Sequence, residues 1–160
     1  MSFHNRLYFL FITLILVSCA SSKTENINGS YFNEKFLIGT WSSNEVTPNG
    51  FYLSVVTYTA DGMKCTLGTS YDKKNGYDRG LYISKWKLYK NRLDVTIVKT
   101  STPLLVVGET LSDQVVYLTK SEFKTRLFPT EPAFENASIE TYTKLSNIPD
   151  LSVCETANKL

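Results

Sequence analysis

A period-two alternation of apolar and polar residues runs through residues 36–127, and it constrains the fold more than any other feature of this chain. Short alternating runs separated by turn-forming residues are the mark of successive antiparallel strands. Eight runs carry it: residues 36–42, 51–59, 63–70, 80–89, 92–100, 104–110, 114–119 and 122–127. The joints have turn chemistry. Asp61-Gly62 and Lys90-Asn91 make tight links, Lys73-Lys74-Asn75-Gly76 a longer hairpin, and Ser112-Asp113 and Lys120-Ser121 two-residue connections. No helix-period stretch interrupts this part of the chain.

Several runs choose a face. Met63, Cys65 and Leu67 alternate with Lys64, Thr66 and Gly68, which predicts the first set inward and Lys64 in solvent. Lys85 and Lys87 claim the wet side of their run and send Tyr82, Trp86 and Leu88 inward. Leu93, Val95 and Ile97 stand against Asp94 and Thr96, and Phe123, Thr125 and Leu127 against Glu122, Lys124 and Arg126. Runs 51–59 and 104–107 are apolar on both faces and leave the phase open.

The expected fold class is therefore all-β. Eight short meandering strands with one polar face suit a closed antiparallel barrel, because closure removes the exposed edges that invite aggregation. A two-sheet β-sandwich is the alternative. A membrane-spanning barrel is not expected, since Lys64, Lys85, Lys87, Asp94 and Lys124 would then point into lipid.

The start of the chain is of another kind. Residues 7–17 (LYFLFITLILV) are apolar apart from Thr13 and follow His4 and Arg6. Such a run is too short for a membrane-crossing helix, which needs roughly 20 residues, and has the make-up of a secretory signal. Leu16-Val17-Ser18-Cys19 resembles the lipobox of bacterial lipoproteins. That resemblance implies a signal peptide over residues 1–18, acylation of Cys19 with palmitate-type chains, and attachment to a membrane. An ordinary secretory signal or an uncleaved anchor helix is the alternative. Ala20-Ser21 resembles an outer-membrane address, because the aspartate that marks inner-membrane retention is absent. The implied location is the bacterial outer membrane, facing the periplasm. Residues 19–35 are polar and read as a flexible tether, with a span of about 20–25 Å.

Cleavage would remove 18 of 160 residues, among them His4, the single histidine. A body without imidazole has no Ser-His-Asp or Cys-His pair and no histidine ligand for zinc or copper. The acids Glu45, Asp61, Asp72, Asp78, Asp94, Glu109, Asp113 and Glu122 are scattered, mostly at turns, and read as solvated charges. No phosphate-binding, dinucleotide-binding or Cys-x-x-Cys motif occurs. The expectation is a protein that is not an enzyme and has no cofactor or metal. A net charge of +2 gives no reason to expect a nucleic-acid partner.

Gly39-Thr40-Trp41, preceded by Phe36-Leu37-Ile38, resembles the opening of the first strand in lipocalin-like small barrels. Thr57-Tyr58-Thr59-Ala60-Asp61-Gly62 and Leu118-Thr119 also look like bacterial members of that group. The resemblance covers residues 36–127. It implies a lipocalin-like eight-stranded barrel in which Arg126, on the last strand, packs over Trp41, so that Gly39, Trp41 and Arg126 close one end. It also implies a helix after the eighth strand. Residues 128–160 are accordingly read as a C-terminal extension with a short helix capped by Thr130. Pro132 lies in its first turn, and Phe134, Ala137, Tyr142 and Leu145 on one side.

With Cys19 acylated, Cys65 and Cys154 are an even pair in an oxidising compartment and are expected to form a disulfide. Two separate thiols, with Cys65 in the core, are the alternative. For function, two readings stand. One is a barrel that binds a small hydrophobic molecule, with Tyr82, Trp86, Leu88 and Phe123 as its wall. The other is a protein-interaction module of the cell envelope (assembly accessory, immunity factor or inhibitor), with residues 71–79 as its first candidate surface.

Overall fold

The computed structural model describes residues 32–128, 137–146 and Cys154. A 3₁₀ turn at Glu34–Phe36 leads into eight strands: β1 Gly39–Thr47, β2 Gly50–Tyr58, β3 Met63–Asp72, β4 Gly76–Tyr89, β5 Arg92–Thr100, β6 Thr110–Leu118, β7 Glu122–Leu127 and β8 Glu140–Lys144. Each strand pairs antiparallel with the next, and β8 pairs back with β1. The result is a closed barrel in simple meander order, not a sandwich.

The eight strands are not the eight expected runs. Residues 104–110 form no strand before Thr110. They belong to a wide loop in which Leu105 packs against the core while Leu104, Val106 and Val107 are exposed. An unbroken apolar run had the composition of a buried strand, but only one of its side chains reaches the interior. The missing eighth strand comes instead from Glu140–Lys144, beyond the expected barrel boundary at residue 127. Tyr142, placed by the sequence reading on a helix face, is a β8 residue between Thr141 and Thr143, whose β-branched side chains favour extended backbone. The body of the expected helix, residues 129–136, lies outside the described residues. Ser112 and Asp113 are also not a connection; both sit within β6.

The phase of β3 is opposite to expectation. Opposed residues share a face, and the register places Tyr58 against Lys64, Lys64 against Ser84, and Ser84 against Ile97. Lys64 therefore points into the barrel, 7% exposed, while Cys65 points out. Cys65 is buried all the same. It clusters with Leu81, Ile83 and Cys154, flanked by Val55, Met63 and Leu67. Alternation locates two faces and cannot say which is inside when both are covered.

Two glycines are required by backbone geometry. Gly39 starts β1 with φ 126°, a conformation that L side chains rarely adopt. At Gly50 a Cβ would lie 1.8 Å from the carbonyl oxygen of Tyr71, so only glycine lets β2 and β3 approach there.

One end of the barrel is filled. Trp41, Val56, Tyr58, Leu93, Val95, Ile97, Val115, Leu118 and Phe123 form its inner core, capped by Leu37, with Phe32 and Phe36 packed on the outside of that cluster. Trp41 meets Phe123 edge-on at 4.8 Å, and Phe123 stacks on Tyr142 at 4.4 Å. Trp41 Nε1 donates to Leu37 O at 2.7 Å, which satisfies the indole of a fully buried ring. The turns after β1, β3, β5 and β7 gather at the opposite end, which forms the mouth.

Candidate functional site

The ring is joined by a short seam. β1 and β8 share two register pairs, Trp41 with Lys144 and Ser42 with Thr143. Leu145 N donates to Thr40 O at 2.8 Å and Lys144 Nζ to Ile38 O at 2.6 Å, reinforcing the filled end. Past Ser42, β1 pairs with β2 alone, while β8 remains paired with β7 as far as Glu140 and Thr125. The two strands diverge toward the mouth, and Ser43 Oγ spans the gap to Glu140 Oε1 at 2.6 Å.

A cavity of about 660 Å³ occupies this divergence. Ser43, Glu45 and Tyr52 reach it from β1 and β2, Asp113 from β6, Thr125 and Leu127 from β7, and Glu140 from β8. Leu53 and Ile139 add apolar surface at its rim. The size is within the range of small-molecule pockets. Three carboxylates line it; Arg126 borders it from β7, with its Nε donating to Gln114 Oε1 at 2.7 Å on the outer face.

Charge in the cavity wall is linked to charge inside the barrel. Burial pushes the Asp113 carboxyl above its ordinary range, Lys64 pulls it down, and the Glu140 carboxylate pushes it up further. Burial works against the Lys64 ammonium, but Tyr58, Tyr82, Asp113 and Glu140 outweigh it and hold Lys64 above the usual lysine range. Its Nζ lies 5.5 Å from the Tyr58 ring centroid and 5.7 Å from that of Tyr82. Burial raises the Tyr58 phenol to about 12 and drives the Tyr142 phenol upward too, with Glu140 adding to the latter. The interior thus has an aromatic end and a polar layer beneath the mouth. Thr66 Oγ1, in the same inward row as Val56 and Tyr82, is buried there without a hydrogen-bond partner.

None of the four expected wall residues lines this cavity. Phe123 is enclosed between Trp41 and Tyr142; Trp86 packs edge-on to Tyr58 at 5.5 Å and donates Nε1 to Thr59 O; Tyr82 and Leu88 pack against the same core. These aromatics fill the barrel where they were expected to enclose a hollow. Gly39 and Trp41 do stand at the filled end, but the cation over the Trp41 ring is Lys144, 5.0 Å from its centroid. Arg126 points to the outer face, toward Gln114, as strand parity against Phe123 and Thr125 requires. Cys65 and Cys154 are joined by a disulfide with sulfurs 2.05 Å apart. Cys19 lies outside the described residues.

The cavity residues that sequence reasoning missed had little signal. Glu45, Asp113 and Glu140 come from three strands far apart in the chain, and only the barrel's closure brings them together. Among the described residues no group of three or more His, Cys, Asp or Glu side chains has the geometry to hold a metal ion. Compared with protein-family models and with curated proteins, the chain matches none.

Proposed function

We propose that this chain is a lipid-anchored, periplasm-facing β-barrel that binds a small amphipathic molecule in the cavity at its mouth. The observation that carries the reading is the 660 Å³ cavity with apolar side chains at its rim and three carboxylates in its wall. A ligand with an aliphatic or aromatic part meets Leu53, Leu127 and Ile139. A cationic or hydrogen-bond-donating group on the same ligand meets Glu45, Asp113 and Glu140. The purely hydrophobic ligand expected from the sequence fits this wall less well, because it would leave carboxylates desolvated and unpaired. Anchoring through an acylated Cys19 rests on the Leu16-Val17-Ser18-Cys19 motif and the apolar run before it.

Calorimetric titration with matched alkylamines and fatty acids tests the ligand class. Saturable binding of the amine, weakened by Glu45→Gln and absent for the acid, is the expected result. Failure of both series to bind overturns the reading. Mass spectrometry of the protein purified from membranes tests the anchor, with an N-terminal diacylglyceryl-cysteine at position 19 as the expected product.

A further inference from the structure

An exposed apolar row crosses the outer face of the barrel near its mouth. Val46, Phe51, Tyr71 and Tyr77 are successive register partners on β1, β2, β3 and β4. Val46 is 80%, Tyr77 75% and Phe51 36% exposed, with Tyr71 half-buried between the rings of Phe51 and Tyr77. The three rings touch one another, with centroids 6.0 Å apart for Phe51 and Tyr71 and 4.8 Å for Tyr71 and Tyr77. They are tilted by 31° and 45°, so they form a ridge and not the flat platform on which a sugar ring would stack. At the same end, the loop between β5 and β6 exposes Leu104 at 83%.

Cations flank the ridge at the hairpin tip. Lys73 and Lys74 sit in the β3–β4 turn, with Arg79 on β4 just behind. The nearby acids are turned toward their own backbone. Asp72 Oδ1 accepts from Lys74 N and Asn75 N at 2.9 and 3.0 Å, and Asp78 Oδ1 from Arg79 N at 2.8 Å. Tyrosine and phenylalanine beside lysine is the composition of protein surface that sits at a bilayer's headgroup level, and the cations complement anionic lipid.

We propose that this ridge docks on the surface of the membrane to which the chain is anchored, seating the rings among the headgroups and the lysines on anionic lipid phosphates. The inference rests on the lipid-anchored reading. Twelve residues separate Cys19 from Phe32, and Phe32 packs at the filled end. At about 3.3–3.6 Å per residue they reach at most roughly 40 Å. A nine-residue strand is about 30 Å long. The tether therefore lets the barrel lie with its β1–β4 face on the bilayer. It also holds that face at an effective concentration on the order of millimolar, where contacts too weak to recruit a free protein are populated.

The test uses the full chain in vesicles of phosphatidylcholine with and without phosphatidylglycerol. Tryptophan is introduced as Tyr77→Trp on the ridge and, in a second variant, as Tyr89→Trp, an exposed site at the filled end. Quenching by lipids brominated in the acyl chain is measured against the unsubstituted protein. The expected result is severalfold stronger quenching at position 77 than at 89, increased by phosphatidylglycerol and reduced by Lys74→Glu or by Phe51→Ser. Equal or inverse quenching overturns the docking while leaving the anchor intact. So does quenching lost because the ridge is covered by a second copy or another protein, seen as a larger species by sedimentation in detergent. A chain that fails to float with vesicles at all overturns the anchored reading and the docking with it.

Discussion

The Lys144 ammonium lies 5.0 Å from the centroid of the Trp41 ring and donates to Ile38 O at 2.6 Å, so one side chain of the last strand both covers the central indole and ties down the segment entering the first. A cation over a buried indole contributes about 0.5–2 kcal/mol, and a charged hydrogen bond to a carbonyl about 1.5–3. Lys144→Met, which keeps the aliphatic stem, is expected to destabilise the barrel by about 2 kcal/mol in urea denaturation. A change below experimental error means that the seam is held by its strand pairs alone.

The buried Lys64 and Tyr58 make the barrel sensitive to alkali. Both groups are raised in the folded state above their ordinary values of 10.5 and 10.0, Tyr58 to about 12. A raised group contributes stability that is fully present below its unfolded value and is lost as pH rises through the folded one. Stability measured by chemical denaturation should therefore be level from neutral pH up to about pH 10 and fall above it. Tyr58→Phe should flatten part of that fall, and an unchanged slope in this variant would remove Tyr58 from the account.

Asp113 has a consequence of the same sign at lower pH. Its carboxyl is raised by burial and by Glu140, so ionising it in the folded state costs stability as pH rises past the ordinary carboxylate range. Asp113→Asn is expected to be more stable than the unsubstituted chain at pH 7, with the advantage shrinking as pH falls toward 4. An advantage that is constant with pH would mean that the gain comes from packing and not from charge. The same variant should weaken alkylamine binding, because it removes one wall carboxylate.

The Cys65–Cys154 disulfide closes a separation of 89 residues. Restricting an unfolded loop of that length contributes on the order of 4 kcal/mol. Replacing both cysteines by serine should lower stability by about that amount. The β-type circular dichroism should persist, since the bond lies on the outer face and the strand ladder does not depend on it. Loss of the β signal would show that the barrel needs the bond in order to close.

The sequence announced the antiparallel class and most of the strands because alternation and turn residues are local. It misplaced the eighth strand because local composition was misleading twice. Leu104, Val106 and Val107 are apolar yet face solvent, and Glu140–Lys144 is a short polar segment whose single aromatic side chain, Tyr142, completes the stack on Phe123. The inversion of β3 has the same origin. Met63, Cys65 and Leu67 are apolar because the outside of β3 is covered around Cys154, and Lys64 is inside because phenols and carboxylates from four other strands surround it. The cavity was the least legible part. Tyr82, Trp86, Leu88 and Phe123 pack against the core, while the cavity at the mouth is lined by serines, threonines, acids and a few apolar side chains whose meeting depends on register across the seam.

Cys154 follows all eight strands in the chain, whereas Cys65 lies on the third. During synthesis the second sulfur is thus the last of these pieces to emerge, and oxidation has no means of steering the early hairpins. If the β signal survives replacement of both cysteines, as expected, the bond latches a ring that strand pairing alone has wound up. A cell that delays thiol oxidation would accumulate rolled but unlatched copies, not unrolled chains.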